Sequence, residues 1–230
     1  MPAGDVCELS VRPPVPDHPL RSVLQGLTPS CCPGRVNFHC HTTCSDGSLL
    51  PEQLAKQALA LGLEHLAVTD HHSCAAHDAV LAVFRLAAKS GGPVPTLWRG
   101  VEISCLLEGC LVHVLALGFG ADHPSLLPYL QGRAVVGQGL QAQAVLAAGR
   151  SAGALMLLAH PARYRLPFQR LIAAAHQLGF DGAEAWYDYG LQARWQPTPL
   201  VCEAIATELR RRDLLMSCGT DTHGVGLDGR

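Results

Sequence analysis

Long apolar runs are missing from this sequence of 230 residues. No stretch reaches the roughly 18 consecutive apolar residues that a membrane-spanning helix needs. No charged, then apolar, then small-residue segment of the secretory type opens the chain. Charge is also scarce, with 16% charged residues and a net charge of −2. That excludes a broad basic surface for extended nucleic acid, but leaves room for a small phosphorylated ligand. The one basic cluster, Arg210-Arg211-Arg212, is explained as the solvated C-terminus of a helix, where the helix dipole favours positive charge. No repeat with a period of about 20 to 50 residues is visible. The ten cysteines have no regular spacing. Cys31-Cys32 with Cys40 and Cys44 could mimic a zinc knuckle, yet no second CxxC pair completes one. Reduced, buried thiols in a cytoplasmic protein are the better expectation.

What is present is core-forming material. Apolar residues make up 48% of a chain long enough for one domain or one small barrel. Residues 1–33 carry Pro2, Pro13, Pro14, Pro16, Pro19, Pro29 and Pro33 without a sustained period. They are expected to be a partly disordered leader or an arm lying on the domain that follows, residues 34–230. From Arg35 onward short apolar runs alternate with longer amphipathic ones, the pattern of parallel strands and crossover helices. Strands are expected near 35–39, 65–70, 97–102, 111–117, 155–160, 182–186 and 214–219. The clearest helix is "PEQLAKQALALG", where Pro51 and Glu52 suit a first turn, Leu54, Ala58 and Leu61 share a face, and Gly62 ends it. Further helices are expected over 75–90, 135–150, 167–178 and 198–212. This many strands in a short chain favours an α/β barrel, closed or nearly so, over an open doubly wound sheet.

The chemistry-bearing residues fall where strands finish. His39 and His41 in "FHCHTTCSDG" are two apart, so on a strand they share a face. Asp46 follows beside a turn glycine. His71 comes after "HLAVTD", Glu102 after "LWRGV", and His160 closes "ALMLLAH". Asp221 and His223 follow "LLMSCGT", and His113 lies early in "LVHVLALG". In an α/β barrel the C-terminal ends of parallel strands converge on one mouth. Carboxylates crowded there (Asp46, Glu102, Asp221) repel one another unless cations neutralise them. Three divalent ions would bring about +6 against roughly −3, leaving a positive pocket suited to a phosphate. His18, His65, His77, His123 and His176 have no site-like context, and His72 should face away if His71 faces the cluster.

In order along the chain, "HCHTTCSDG", "AVTDHH", "GVEIS", "VHVLALGF", "LAHPARY" and "GTDTH" resemble the six blocks of the polymerase and histidinol-phosphatase (PHP) domain family. The resemblance runs from about 35 to 224 and is closest to stand-alone nucleotide and RNA phosphoesterases. It implies a distorted (β/α)7 barrel holding two or three divalent ions, with zinc, manganese and iron all admitted by mixed imidazole and carboxylate donors. It further implies that His39, His41, Glu102 and Asp221 hold one ion. Glu102 bridges to a second ion with His113 and His160, and Asp46, His71 and His223 hold a third. Two departures stand out. The second block reads Asp70-His71-His72 where Asp-His-Asp is common, and the stretch from Gly118 to Ala154 is short for the capping insertion of related phosphatases, which implies a more open mouth.

The resemblance implies hydrolysis of a phosphate ester by metal-activated water, with Glu102, Asp221 and His160 nearest the reaction. Arg163 matches the family's HP-x-R pattern and can fork onto phosphate oxygens; Arg165 is a second candidate. Asp70 is expected to support a ligand histidine. The expected substrate is a nucleotide or a short RNA end. Histidinol phosphate, or a catalytically inactive metal-binding module, is the alternative. Metal-dependent deamination would need a bridging lysine, and Lys56 and Lys89 both fall on helices. The oligomeric state is not legible.

Overall fold

Short apolar runs, most of them handed on by an amphipathic helix, wind into a ring. The computed structural model describes residues 17–121, 123–192 and 194–229. Helix α1 (Pro19–Gln25) precedes β1 (Val36–Asn37), α2 (Pro51–Leu61), β2 (His65–Val68) and α3 (Ala76–Lys89). A long hairpin follows, β3 (Thr96–Leu107) and β4 (Cys110–Leu117). The chain then runs through α4 (Ala142–Ser151), β5 (Leu155–Leu158), α5 (Phe168–Leu178), β6 (Gly182–Trp186), α6 (Pro199–Arg210) and β7 (Leu215–Cys218). The expected helices are all present, although the one expected over 135–150 begins at Ala142 after a separate short turn, Gly137–Leu140.

The strands lie side by side in chain order, β1 to β7. A doubly wound sheet reverses its strand order at a switch point; this one does not. The ends meet instead, through Phe38 N–H to Cys218 O, Asp221 N–H to His39 O and His41 N–H to Thr222 O. Because β1 is so short, a side chain reinforces the seam. The buried amide of Asn37 accepts from the N–H groups of His39 and Thr220 and donates to Thr220 Oγ1. The result is the expected distorted (β/α)7 barrel, with its apolar side chains buried between the strands and the helices around them.

One expectation needs correction. The strands are not all parallel: β4 runs antiparallel to both β3 and β5. The cause is a two-residue turn, Glu108 and Gly109 at φ +53° and +67°, the paired left-handed conformation of a tight hairpin. β3 therefore continues to Leu107, beyond the end expected near 102.

The N-terminal segment also has a defined place. Of residues 1–33, residues 1–16 lie outside the described residues. In α1, Pro19 opens the helix and His18 Nδ1 accepts from Leu20 N–H. Leu20 and Leu24 are fully buried. Arg21 pairs with Asp181 just before β6 at 2.9 Å, and His18 Nε2 lies 3.1 Å from Gly118 O at the end of antiparallel β4. Both contacts are at the end of the barrel opposite the parallel strands' C-termini, so α1 closes that floor.

Candidate metal centre at the barrel mouth

Alternation on the β1 extension sends His39 and His41 to one side. Cys40, between them, points away, and its Sγ donates to Ala67 O. The next loop is pinned by Asp70, whose carboxylate accepts from Thr42 N–H (2.6 Å), Thr42 Oγ1 (2.6 Å) and Ser45 Oγ (2.7 Å). Asp70 thus positions the loop that carries Asp46; support of a ligand histidine was expected, but among the described residues its carboxylate accepts from none. The loop turns at Gly47, where a Cβ would fall 2.5 Å from the carbonyl carbon of His41. On β3, Glu102 points inward. His113 on β4 pairs with Ser104 and faces the same side. Since β4 is antiparallel, its early residues are the ones at the mouth, which explains how an early-strand histidine reaches the cluster.

Glu102 is the hub. Its Oε2 lies 3.0, 3.1 and 3.4 Å from nitrogens of His39, His41 and His71, and its Oε1 lies 2.9 and 3.2 Å from His113 and His160. Asp221 Oδ1 sits 3.2 Å from His39 and 3.1 Å from His41. Asp46 Oδ2 is 3.3 Å from His223 and 3.6 Å from His71. Donor atoms converge in three groups: His39, His41, Glu102 and Asp221; His71, Glu102 and His113; and His41, Asp46, His71 and His223. They open onto a cleft of about 400 Å³ lined also by His160 and Arg163. The residues expected as ligands gather around one cleft, but His160, expected beside Glu102 and His113, joins none of the three donor groups among the described residues, and His71 stands there instead. His71 differs in reaching Glu102 as well as Asp46.

The donors fit divalent cations. His41 is buried and its Nε2 is within 3.1 Å of two carboxylates, yet neither ring nitrogen has a hydrogen-bond partner. Buried polar atoms are normally satisfied; lone pairs converging on a shared cation would satisfy these. Imidazole with carboxylate is also the donor set of zinc, manganese and iron. No cysteine joins any donor group among the described residues, so the zinc-knuckle alternative finds no support there.

Electrostatics point the same way. Burial opposes a charge on His39, but Glu102, Glu184 and Asp221 outweigh it and raise its pKa well above the ordinary value. His41 is raised to about 9, with Asp221 and Glu102 overcoming its burial. Burial lowers His71 to about 4 against the pull of Glu102, and a charge on His41 adds to the lowering. Glu102 and Asp221 are held well below the carboxylate range despite burial, chiefly by His39. The carboxylates demand positive charge, and a cation that replaces protons must expel them. At pH 7.5 His41, raised to about 9, is protonated, and loading should release at least one proton. Apparent affinity should rise with pH up to about 9, the value for His41, and weaken as pH falls. Calorimetric titration with zinc or manganese in buffers of different ionisation enthalpy measures this; proton-neutral binding at pH 7.5 would contradict it.

Two ligand candidates sit in backbone conformations that cost about 1–3 kcal/mol each: His160 at φ +27° and Asp221 at φ +50°. Hydrogen bonds of 2.7 Å hold both, from His160 N–H to Glu184 Oε2 and from Asp221 N–H to His39 O. Gly219 lets the strands approach there, since a Cβ would lie 2.3 Å from that of His39.

The arginines separate. Arg163 reaches the cleft and donates to Asp221 Oδ2 (3.1 Å) and Tyr187 OH (3.0 Å). Arg165 instead donates to Gly109 O at the hairpin turn and does not line the cleft. His72 is buried in a structural role. Its Nε2 accepts from Ser104 N–H and its Nδ1 lies 3.3 Å from Tyr129 O. Sequence reasoning missed Glu184 and Tyr187. The Tyr187 OH donates to Asp221 Oδ2 at 2.5 Å. The available signal was a carboxylate inside the otherwise apolar run "GAEAWY".

Comparison with known proteins agrees with this architecture. The family model described as "PHP domain" matches residues 37–210. The chain belongs to the PHP domain family. A relative, a 5′-3′ exoribonuclease of Haemophilus influenzae, is 33% identical over 187 residues, which cover 74% of this chain and 64% of that protein. The 5′-3′ exoribonuclease Rnm of Escherichia coli is 36% identical over 94 residues, 41% of this chain and 31% of that protein. The chain thus spans less than two thirds of the curated relatives it matches. Among solved structures, an amidohydrolase from Chromobacterium violaceum with bound sulfate superposes with a TM-score of 0.68 at 21% identity, over 84% of this chain and 89% of that one. That likeness is one of fold alone.

Proposed function

We propose that this PHP chain is a metal-dependent phosphoric ester hydrolase acting on a small phosphorylated substrate, a nucleotide or the end of a short oligonucleotide. One observation carries the reading: a fully buried carboxylate, Glu102, lies within 3.4 Å of nitrogens from five histidines carried on or just after four strands, β1, β2, β4 and β5. A buried charge so surrounded is a cation site before it is a structural feature. Two or three divalent ions of zinc, manganese or iron would be held by His39, His41, Asp46, His71, Glu102, His113, His160, Asp221 and His223. Bound there, such ions supply a water nucleophilic at neutral pH and relieve charge on phosphoryl oxygens.

The chain's own residues do the rest. Glu102, Asp221 and His160 stand at the centre of the reaction. Arg163, with its side chain 43% exposed above Asp221, is placed to fork onto phosphate oxygens. Arg165, turned to the hairpin, is the weaker substrate contact. The relatives named exoribonucleases support a nucleic-acid end as substrate, and the scarcity of basic charge argues for a short one. The described cysteines are free thiols, which suits the cytoplasm. Among the described residues no helix is long and apolar enough to cross a membrane. Residues 34–230 would form the catalytic unit, with the earlier segment as an arm against it.

The test is a panel of esters presented to protein loaded with zinc, manganese or iron: a nucleoside bisphosphate, a short 5′-phosphorylated oligonucleotide and histidinol phosphate. Turnover of the first or second, lost to chelator and restored by metal, is expected. Turnover of histidinol phosphate alone would move the substrate. Bound metal with no turnover of any ester would mark a catalytically inactive metal-binding module.

A further inference from the structure

Strand β6 brings no donor to the cation cluster, yet it carries a carboxylate with no solvent exposure, Glu184. A β-bulge between Glu184 and Trp186 shifts the register against β7 at this point. The two oxygens of Glu184 have different partners. Oε2 accepts from the backbone N–H of His160 at 2.7 Å, and Oε1 lies 3.0 Å from His39 Nδ1. An ionised carboxylate only accepts hydrogen bonds, so His39 Nδ1 must carry the proton. Nε2, the nitrogen 3.0 Å from Glu102 and 3.2 Å from Asp221, is then the one that would give up its proton and offer a lone pair to a cation. The same side chain holds His160 in its left-handed backbone conformation.

We propose that Glu184 is a positioning residue of the metal centre: it fixes the His39 tautomer and anchors His160, and so presets one ligand at each of two cation positions. The inference rests on the metal-centre reading above and extends it to a residue outside the donor set. It also predicts which replacement fails. The His160 N–H can only donate, so in Glu184→Gln the amide oxygen is drawn to it. The amide NH₂ then faces His39 Nδ1, which must accept, and the proton moves to Nε2, where the cation would bind. A near-isosteric change that keeps the packing should therefore invert the tautomer. Partners that orient metal-binding histidines are typically worth about 10- to 100-fold in metal affinity.

The experiment compares wild type with Glu184→Gln by chelator competition for zinc, and reads the His39 tautomer from its ring ¹⁵N shifts in zinc-loaded protein. Affinity about 10- to 100-fold weaker, with the His39 proton on Nδ1 in wild type and displaced in the variant, is the expected result. Equal zinc affinity in the two proteins would overturn the proposal. Should the variant fail to fold, the wild-type spectrum still decides: a loaded protein with His39 protonated on Nε2 refutes it. If wild type binds no zinc, manganese or iron, the metal-centre reading itself has failed, an outcome distinct from either.

Discussion

Glu102→Gln should abolish hydrolysis while leaving the barrel folded. The carboxylate is fully buried, and each oxygen faces histidine nitrogens, three on Oε2 and two on Oε1. An amide of the same shape removes the charge that those imidazoles answer and turns an NH₂ donor toward nitrogens that must present lone pairs. Removing one partner from a buried charge cluster costs about 3–5 kcal/mol. Carried into the reaction barrier, that is a loss of roughly 10²- to 10³-fold or more in turnover. The measurement is steady-state turnover of the best ester from the panel, with metal content determined on the same sample. Loss of bound metal along with activity is the full expectation. A variant within tenfold of wild type would show that Glu102 is not the hub.

The unliganded protein should lose stability as well. Glu102 is ionised at all ordinary pH values, held there mainly by His39 against its burial. Its folded-state pKa is depressed, so its contribution to stability is present above the unfolded carboxylate value and is lost only as pH falls through the folded one. Glu102→Gln therefore removes stability that wild type keeps at neutral pH, and the variant should melt lower in the absence of metal. Circular dichroism separates this from unfolding at the assay temperature, a distinction the activity measurement needs.

How much of this was legible in the chain varies by element. α2 was readable because Pro51 and Gly62 mark its ends and Leu54 and Ala58 its buried face. Most ligand candidates were readable because an apolar run stops on a polar residue, and strand ends converge in any such barrel; His113, early in β4, was an exception. The direction of β4 was not readable: a period-two apolar run looks the same whichever way it is threaded, and only the left-handed Glu108-Gly109 turn reverses it. Asp70 was assigned the wrong task because its neighbour in sequence is His71, whereas its carboxylate turns to Thr42 and Ser45 across the β1–β2 seam. Glu184 went unnoticed since its partners, His39 and His160, lie far away along the chain. Long-range pairing of a buried acid leaves no local pattern.

The segment before residue 34 supplies the largest expected effect on stability. Its prolines conceal a helix of seven residues, too short for a visible period and too short to be stable alone. The helix exists because the barrel floor takes in Leu20 and Leu24, both with essentially no exposure, while Arg21 pairs with Asp181. Truncating a buried leucine to alanine costs about 2–5 kcal/mol, and at this chain length each kcal/mol is worth roughly 2–4 °C. Leu20→Ala should thus lower the melting temperature by about 4–20 °C. The double variant with Leu24→Ala approaches the whole stability of an ordinary domain, about 5–15 kcal/mol, although the two side chains, one helical turn apart in the same core, need not add. Calorimetry on metal-free protein gives the answer. A dispensable leader predicts no change in melting temperature for either protein, and that result would detach α1 from the fold. Since the floor lies opposite the mouth, any Leu20→Ala protein that remains folded should bind zinc with wild-type affinity, so weakened binding without unfolding would mean that the floor and the metal centre are coupled through the strands between them.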